Sequence, residues 1–180
     1  MCIRDRCEGA CTDSREKVGC GAVVDAGGDG GGPAADTTYF VTCLTALAVG
    51  DAAKRFNFVA TSGWTFRALT TSATRVDLAQ TTGSAAKATE RKSGRITNLS
   101  FPTPFTIPGA ANAVSGRDIQ IDGLTIEGAL GGARSCGRMS GAISSPIRQP
   151  FDPATDTCVL VEVKLGDALP QVPVSEHTCR

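Results

Sequence analysis

Cysteine constrains this chain more than any other residue, with 8 in 180 positions. Thiols at that density are uncommon in proteins kept reduced. Two chemistries explain them: disulfides formed in an oxidising compartment, or ligands of a structural metal. A structural zinc site usually carries a paired C-x2-4-C knuckle on each side. From residue 7 onward only Cys7 and Cys11 have that spacing, and nothing downstream repeats it. The chain is therefore read as a disulfide-stapled fold outside the cytoplasm, whether periplasmic, anchored at the outer membrane or secreted. Spacing does not give the pairing. The expected grouping places Cys7, Cys11 and Cys20 in a local N-terminal knot. Cys43, Cys136, Cys158 and Cys179 then staple the main domain.

The first residues read Met1-Cys2-Ile3-Arg4-Asp5-Arg6. Their back-translation, ATG-TGT-ATA-AGA-GAC-AGx, resembles a translated transposon-end sequencing adapter, so residues 1–6 are set aside. Seven cysteines then remain, an odd count that predicts a lost partner or a lipid-bearing cysteine upstream. Residues 7–20 form a Cys-rich remnant. Residues 21–36 are rich in Gly and Asp and cannot bury enough apolar surface to offset their ordering entropy. They read as a flexible linker, and residues 37–180 as the folded domain. Eighteen basic residues balance eighteen acidic ones, which argues against nucleic acid and against a polybasic membrane surface. No apolar run approaches eighteen residues. Contact with a membrane is expected only through an N-terminal lipid anchor.

From Thr38 the pattern is that of strands. Thr38–Val49 is apolar on both parities, which predicts a strand buried on both faces. Phe56, Phe58 and Ala60 share one parity, and Ser62-Gly63 predicts a turn before Trp64 and Phe66. Val76 and Leu78 alternate with Arg75 and Asp77 as in a half-buried strand. Residues 80–95 are small, polar and charged, which reads as a solvated loop or short exposed helix. Pro102, Pro104 and Pro108 exclude a central strand there. Ile119 and Ile121 lie on one parity, Leu124 and Ile126 on the other, so the phase slips at Asp122-Gly123, the mark of a bulge or tight turn. Met139, Ile143 and the series Val159, Val161, Val163 and Leu165 complete the pattern. No window keeps helical apolar spacing over three turns. The fold expected is all-β: an antiparallel sandwich or up-and-down barrel of seven or eight strands.

Two segments carry a resemblance. Phe105–Ile119, reading FTIPGAANAVSGRDI, and Cys136–Ile147, reading CGRMSGAISSPI, resemble stretches of uncharacterised bacterial lipoproteins. Those proteins share the layout of an anchored N-terminus, a Gly/Asp-rich spacer, an all-β domain and a late cysteine matching Cys179. The resemblance implies location and architecture, and no activity.

The supply of catalytic residues is thin. His177 is the single histidine; it lies in a tail segment expected to be exposed and mobile, whereas catalytic groups need rigid support. Asp118, Asp122 and Glu127 are the candidate carboxylates for a secreted hydrolase, although their parity is that of a solvated strand face. Asp152 and Asp156 are candidate calcium ligands, against the simpler reading that Asp152-Pro153 opens a turn. Tyr39 and Trp64 are candidate stacking surfaces for a ligand, against core packing. No phosphate loop or cofactor motif is present. The expectation is a non-catalytic binding or envelope-structural domain with no cofactor, its partner a ligand or surface of unknown identity. A closed barrel would offer a cavity for a small lipid-like ligand, and a sandwich would bind through the loops at one end. A carboxylate-dependent hydrolase and an adhesin-type surface domain are the alternatives.

Overall fold

Strand β1 (Thr38–Leu44) is buried along its whole length on both faces. Its odd positions, Tyr39, Val41 and Cys43, enter the main apolar cluster. Phe40 enters a second cluster on the opposite face. Pairing with the strand at Phe56–Thr61 along one edge and that at Thr157–Val163 along the other places β1 mid-sheet. The computed structural model describes residues 37–48, 54–102 and 104–179. The expectations for 1–36, including those for Cys7, Cys11 and Cys20, lie outside the described residues.

Ten further strands are described: β2 (Phe56–Thr61), β3 (Thr65–Leu69), β4 (Thr81–Lys87), β5 (Thr89–Ser93), β6 (Ile96–Ser100), β7 (Phe105–Ile107), β8 (Ile119–Gly128), β9 (Arg134–Ser145), β10 (Gln149–Pro150) and β11 (Thr157–Val163). They form one antiparallel sheet in the order β4-β3-β2-β1-β11-β9-β8-β6-β5, with β7 on β8 and β10 on β9. β4 and β5 sit at opposite ends of that order, yet only Ala88 separates them in the chain. The sheet therefore curls into a half-barrel, and one continuous length of chain links its two end strands.

The concave face holds the main core, built from Phe56, Phe58, Phe66, Phe101, Phe105, Ile121, Ile126, Met139 and Leu160 among others. Phe66 meets Phe101 edge-on at 4.8 Å, and Phe101 meets Phe105 at 5.3 Å. Only about 20 Å³ remains empty among these side chains, roughly the space of a single water. The curl is thus filled with protein, and the expected interior cavity for a lipid-like ligand is absent among the described residues.

The outer face of β1, β2 and β11 carries Phe40, Val59 and Val159, which pack with Leu69, Val76 and Val172. The chain after β11 covers this face. Its backbone bonds to Thr74 and Val76, and Arg75 forms an isolated bridge with Ala168. Two disulfides tie the domain together. Cys43–Cys158 joins register partners of β1 and β11 inside the main core. Cys136–Cys179 fastens the C-terminal segment to β9.

Several expectations need correction. Residues 81–93 form strands, not a loop or helix. Their inward residues are Ala86 and Ala88, too small to show as apolar alternation. Val76 and Leu78 do not form a strand: Val76 is buried, but Leu78 opens a 3₁₀ turn, Leu78–Gln80, capped by the Asp77 carboxylate on the Ala79 amide. Gln80 Oε1 accepts the Thr74 and Arg75 amides, so these donors bond to side chains instead of a ladder. β1 stops at Leu44, ahead of a 3₁₀ turn at Ala46–Ala48. In β11, Cys158 and Leu160 face the main core, while the valines face the outer cluster. The phase slip on β8 is present as a register shift between Asp122 and Thr125.

Candidate functional site

At the end of the half-barrel where β1 stops, four distant stretches converge on a groove of about 430 Å³. Its lining is chiefly apolar, with Leu47, Phe56, Val114, Ile119, Ile143, Pro146 and Ile147. Leu47 and Ile147 are 39% and 62% exposed, an arrangement that leaves apolar surface facing water at a concavity. The three polar lining residues are Asn112, Ser115 and Arg117, and no carboxylate lines the groove.

The loop 108–118 sets one wall. Pro108 precedes a 3₁₀ turn at Gly109–Ala111, and Asn112 ends it. Asn112 is buried, and both ends of its amide are used. Oδ1 accepts the Val114 and Ser115 amides; Nδ2 donates to Ser115 Oγ and to the Arg117 carbonyl, both at 2.7 Å. Asp118 closes the loop by accepting the Gly109 amide at 2.7 Å. One buried amide therefore holds the segment that carries Val114, Ser115 and Arg117. The opposite wall is the turn from β9 to β10, where the Ser145–Pro146 peptide is cis.

A second concavity of about 490 Å³ follows the seam between β4 and β7. It is lined by Gly83, Ser84, Ala85, Ala86 and three prolines, with Lys87, Phe105 and Thr106. Its one large apolar residue, Phe105, is buried in the core, whereas the end groove exposes Leu47 and Ile147, so the end groove is the stronger candidate.

The candidate carboxylates do not converge. Asp118 is spent on the Gly109 amide; Asp122 points outward, and Glu127 accepts a bond from Asn98 Nδ2 at 3.0 Å. Four or five residues of extended chain separate neighbours, roughly 13–16 Å, whereas paired catalytic carboxyls stand roughly 5–10 Å apart. Asp152 and Asp156 form the expected turn. Asp152 Oδ1 accepts the Ala154 amide, and the buried Asp156 accepts the Asp152 amide on Oδ2 and the Ala46 amide on Oδ1. Those oxygens serve the backbone, and no group of three metal-binding side chains occurs among the described residues.

Tyr39 and Trp64 are each 2% exposed, so neither offers a face to a ligand. Trp64 stands in the turn itself with φ of 57°. Its indole folds back between Tyr39, at 5.6 Å, and Phe66, at 6.4 Å. Burial, and then the Glu162 carboxylate, push the Tyr39 phenol upward.

His177 contradicts the expectation of an exposed tail. It is buried, in a 3₁₀ turn at Val174–His177 held near β9 by the Cys136–Cys179 disulfide. Arg55 Nη1 donates to the Val172 carbonyl and bonds His177 Nε2. Desolvation and the Arg55 charge, opposed by a bond with Thr157, lower the His177 pKa to about 4. The imidazole is neutral at pH 7. It acts as an acceptor for Arg55, which places its hydrogen on Nδ1.

Comparison of the chain with protein-family models, curated proteins and solved structures finds no match. The groove was not visible in the sequence. The single hint was Ile147, an apolar residue set among Ser144, Ser145, Pro146 and Arg148 in a turn.

Proposed function

We propose that this chain is a non-catalytic, extracytoplasmic ligand-binding domain that takes a small, apolar-bodied molecule in the end groove. The observation that carries the reading is the groove itself. It is concave, about 430 Å³ in volume and mostly apolar, with few polar groups. It is built from loops and strand ends on a disulfide-braced sheet, the usual place and composition of a small-molecule site. The two disulfides support an oxidising compartment. The likeness of Phe105–Ile119 and Cys136–Ile147 to bacterial lipoproteins supports an envelope or secreted location, with any lipid anchor upstream. Both segments contribute groove residues: Asn112, Val114, Ser115, Arg117 and Ile119 from the first, Ile143, Pro146 and Ile147 from the second.

The test is a titration with the uncharged fluorophore N-phenyl-1-naphthylamine. Saturable, blue-shifted emission is expected with the parent chain, and Ile147→Asp is expected to weaken it several-fold. Ile147 is largely exposed, so the substitution should leave the fold intact. Emission that does not saturate, or an affinity unchanged in Ile147→Asp, overturns the reading.

A further inference from the structure

We propose that the groove is selective for amphipathic anions, with a carboxylate, sulfonate or phosphate head at Arg117 and Ser115 and an apolar body along Phe56, Ile143 and Ile147. This rests on the groove being the binding site and adds the chemical class of its occupant.

The argument is an inventory of polar groups. Asn112 has no capacity left for a ligand: its oxygen accepts two amides, and its nitrogen donates to Ser115 Oγ and the Arg117 carbonyl. Ser115 Oγ accepts from Asn112, so its own hydrogen is left to donate outward. Arg117 lines the groove, is exposed, and makes no ion pair among the described residues. The polar capacity that faces the groove is thus donor in character and carries one full positive charge. The nearest carboxylate in the chain, Asp118, bonds the Gly109 amide and does not line the groove.

Donors are matched by acceptors, and a guanidinium is matched best by a planar or tetrahedral oxyanion. The backbone beneath Arg117 is held on both sides, through its own carbonyl by Asn112 and through Asp118 by Gly109. Less ordering is then required when an anion docks. The remaining wall is apolar and asks for a hydrocarbon or ring. A neutral apolar ligand would leave Arg117 without a partner, and a cation would meet it with like charge.

Three probes of one chain length separate the possibilities: octanoate, 1-octanol and octylammonium, each titrated into the parent chain and into Arg117→Gln by two-dimensional NMR. Octanoate should bind roughly ten-fold more tightly than octanol, and octylammonium most weakly. In Arg117→Gln the octanoate advantage should vanish while octanol affinity is unchanged. Equal octanoate and octanol affinities, or an advantage that survives Arg117→Gln, overturn the anion proposal and leave the apolar groove standing. Shifts that map elsewhere on the domain for all three probes overturn both.

Discussion

Arg55 Nη1 and His177 Nε2 stand 3.1 Å apart in the interior, although 122 positions separate them in the chain. The guanidinium accordingly demands a neutral imidazole. It is also held by the Val172 carbonyl, so this contact bonds the C-terminal segment to the start of β2. Burial lowers the pKa of Arg55 itself, but an arginine stays charged throughout the useful range.

A pH dependence follows. His177 binds its proton with a pKa of about 4 when folded, against about 6.5 when unfolded. Below pH 6.5 the unfolded chain takes up more protons, so stability falls as pH falls. The contribution is fully present above pH 6.5 and is lost progressively down to about pH 4, with an upper limit of about 3 kcal/mol. Urea midpoints measured from pH 7.5 to 4 should show this decline. His177→Gln keeps an acceptor for Arg55 and should flatten it across that window. An equally steep decline in the variant would show that other groups set the dependence.

Asp156 is the tie between the 152–156 turn and the end of β1. Its two oxygens accept the Asp152 amide at 2.9 Å and the Ala46 amide, 110 positions distant, at 2.7 Å. Asp156→Ala takes the shared acceptor from both amides, whose bonds are half-buried, and is expected to cost about 2 kcal/mol, lowering Tm by roughly 7 °C. The equivalent change at the exposed Asp122 should move Tm by no more than about 2 °C. Differential scanning calorimetry of the two variants checks the contrast.

The two disulfides differ in access. Cys43 and Cys158 are 3% and 0% exposed, while Cys136 and Cys179 are half-buried. Mild reductant under native conditions should open Cys136–Cys179 first, because thiol–disulfide exchange requires access to a sulfur. Alkylation and peptide mapping should find labelled Cys136 and Cys179 while Cys43–Cys158 stays intact until denaturant is added. Opening the pair should also loosen the segment that buries His177, visible as faster amide exchange over 165–179. Removing Cys43–Cys158 through a paired Cys→Ala change is expected to cost about 2–5 kcal/mol.

Legibility in the sequence followed side-chain size and chain distance. β1 and β2 were readable because Tyr39, Val41, Phe56 and Phe58 are large and alternate. The slip on β8 was readable because Ile121 and Leu124 bracket Asp122-Gly123. β4 and β5 were not, since Ala86 and Ala88 face the core and give no contrast with Ser84 or Lys87. Their strand character comes from neighbours β3 and β6, which is non-local information. His177 read as an exposed tail because its burial depends on a disulfide to Cys136. The groove needed Leu47, Phe56, residues 112–119 and residues 143–147 brought together, which only the curl of the sheet achieves. The carboxylates were legible as solvated, through their parity opposite Ile119 and Ile121.

The β8–β9 irregularity separates two glycines by the reason each is there. Gly123 has φ of +60°, and a Cβ added to it would meet nothing within 4 Å. Gly123→Ala therefore carries only the left-handed backbone penalty, about 1–2 kcal/mol. Gly141 has φ of +113°, and its added Cβ would lie 2.7 Å from the Gly123 carbonyl oxygen and 2.8 Å from that of Asp122. Those contacts are backbone on the paired strand and cannot swing aside. Gly141→Ala must open the β8–β9 pairing at the bulge, and it is expected to cost at least about 3 kcal/mol. Chemical denaturation should rank Gly141→Ala well below Gly123→Ala, and amide exchange should quicken from Ile121 to Thr125 in the former alone. Equal stabilities would mean that the close approach at Gly141 is relieved by a shift of β9 as a whole.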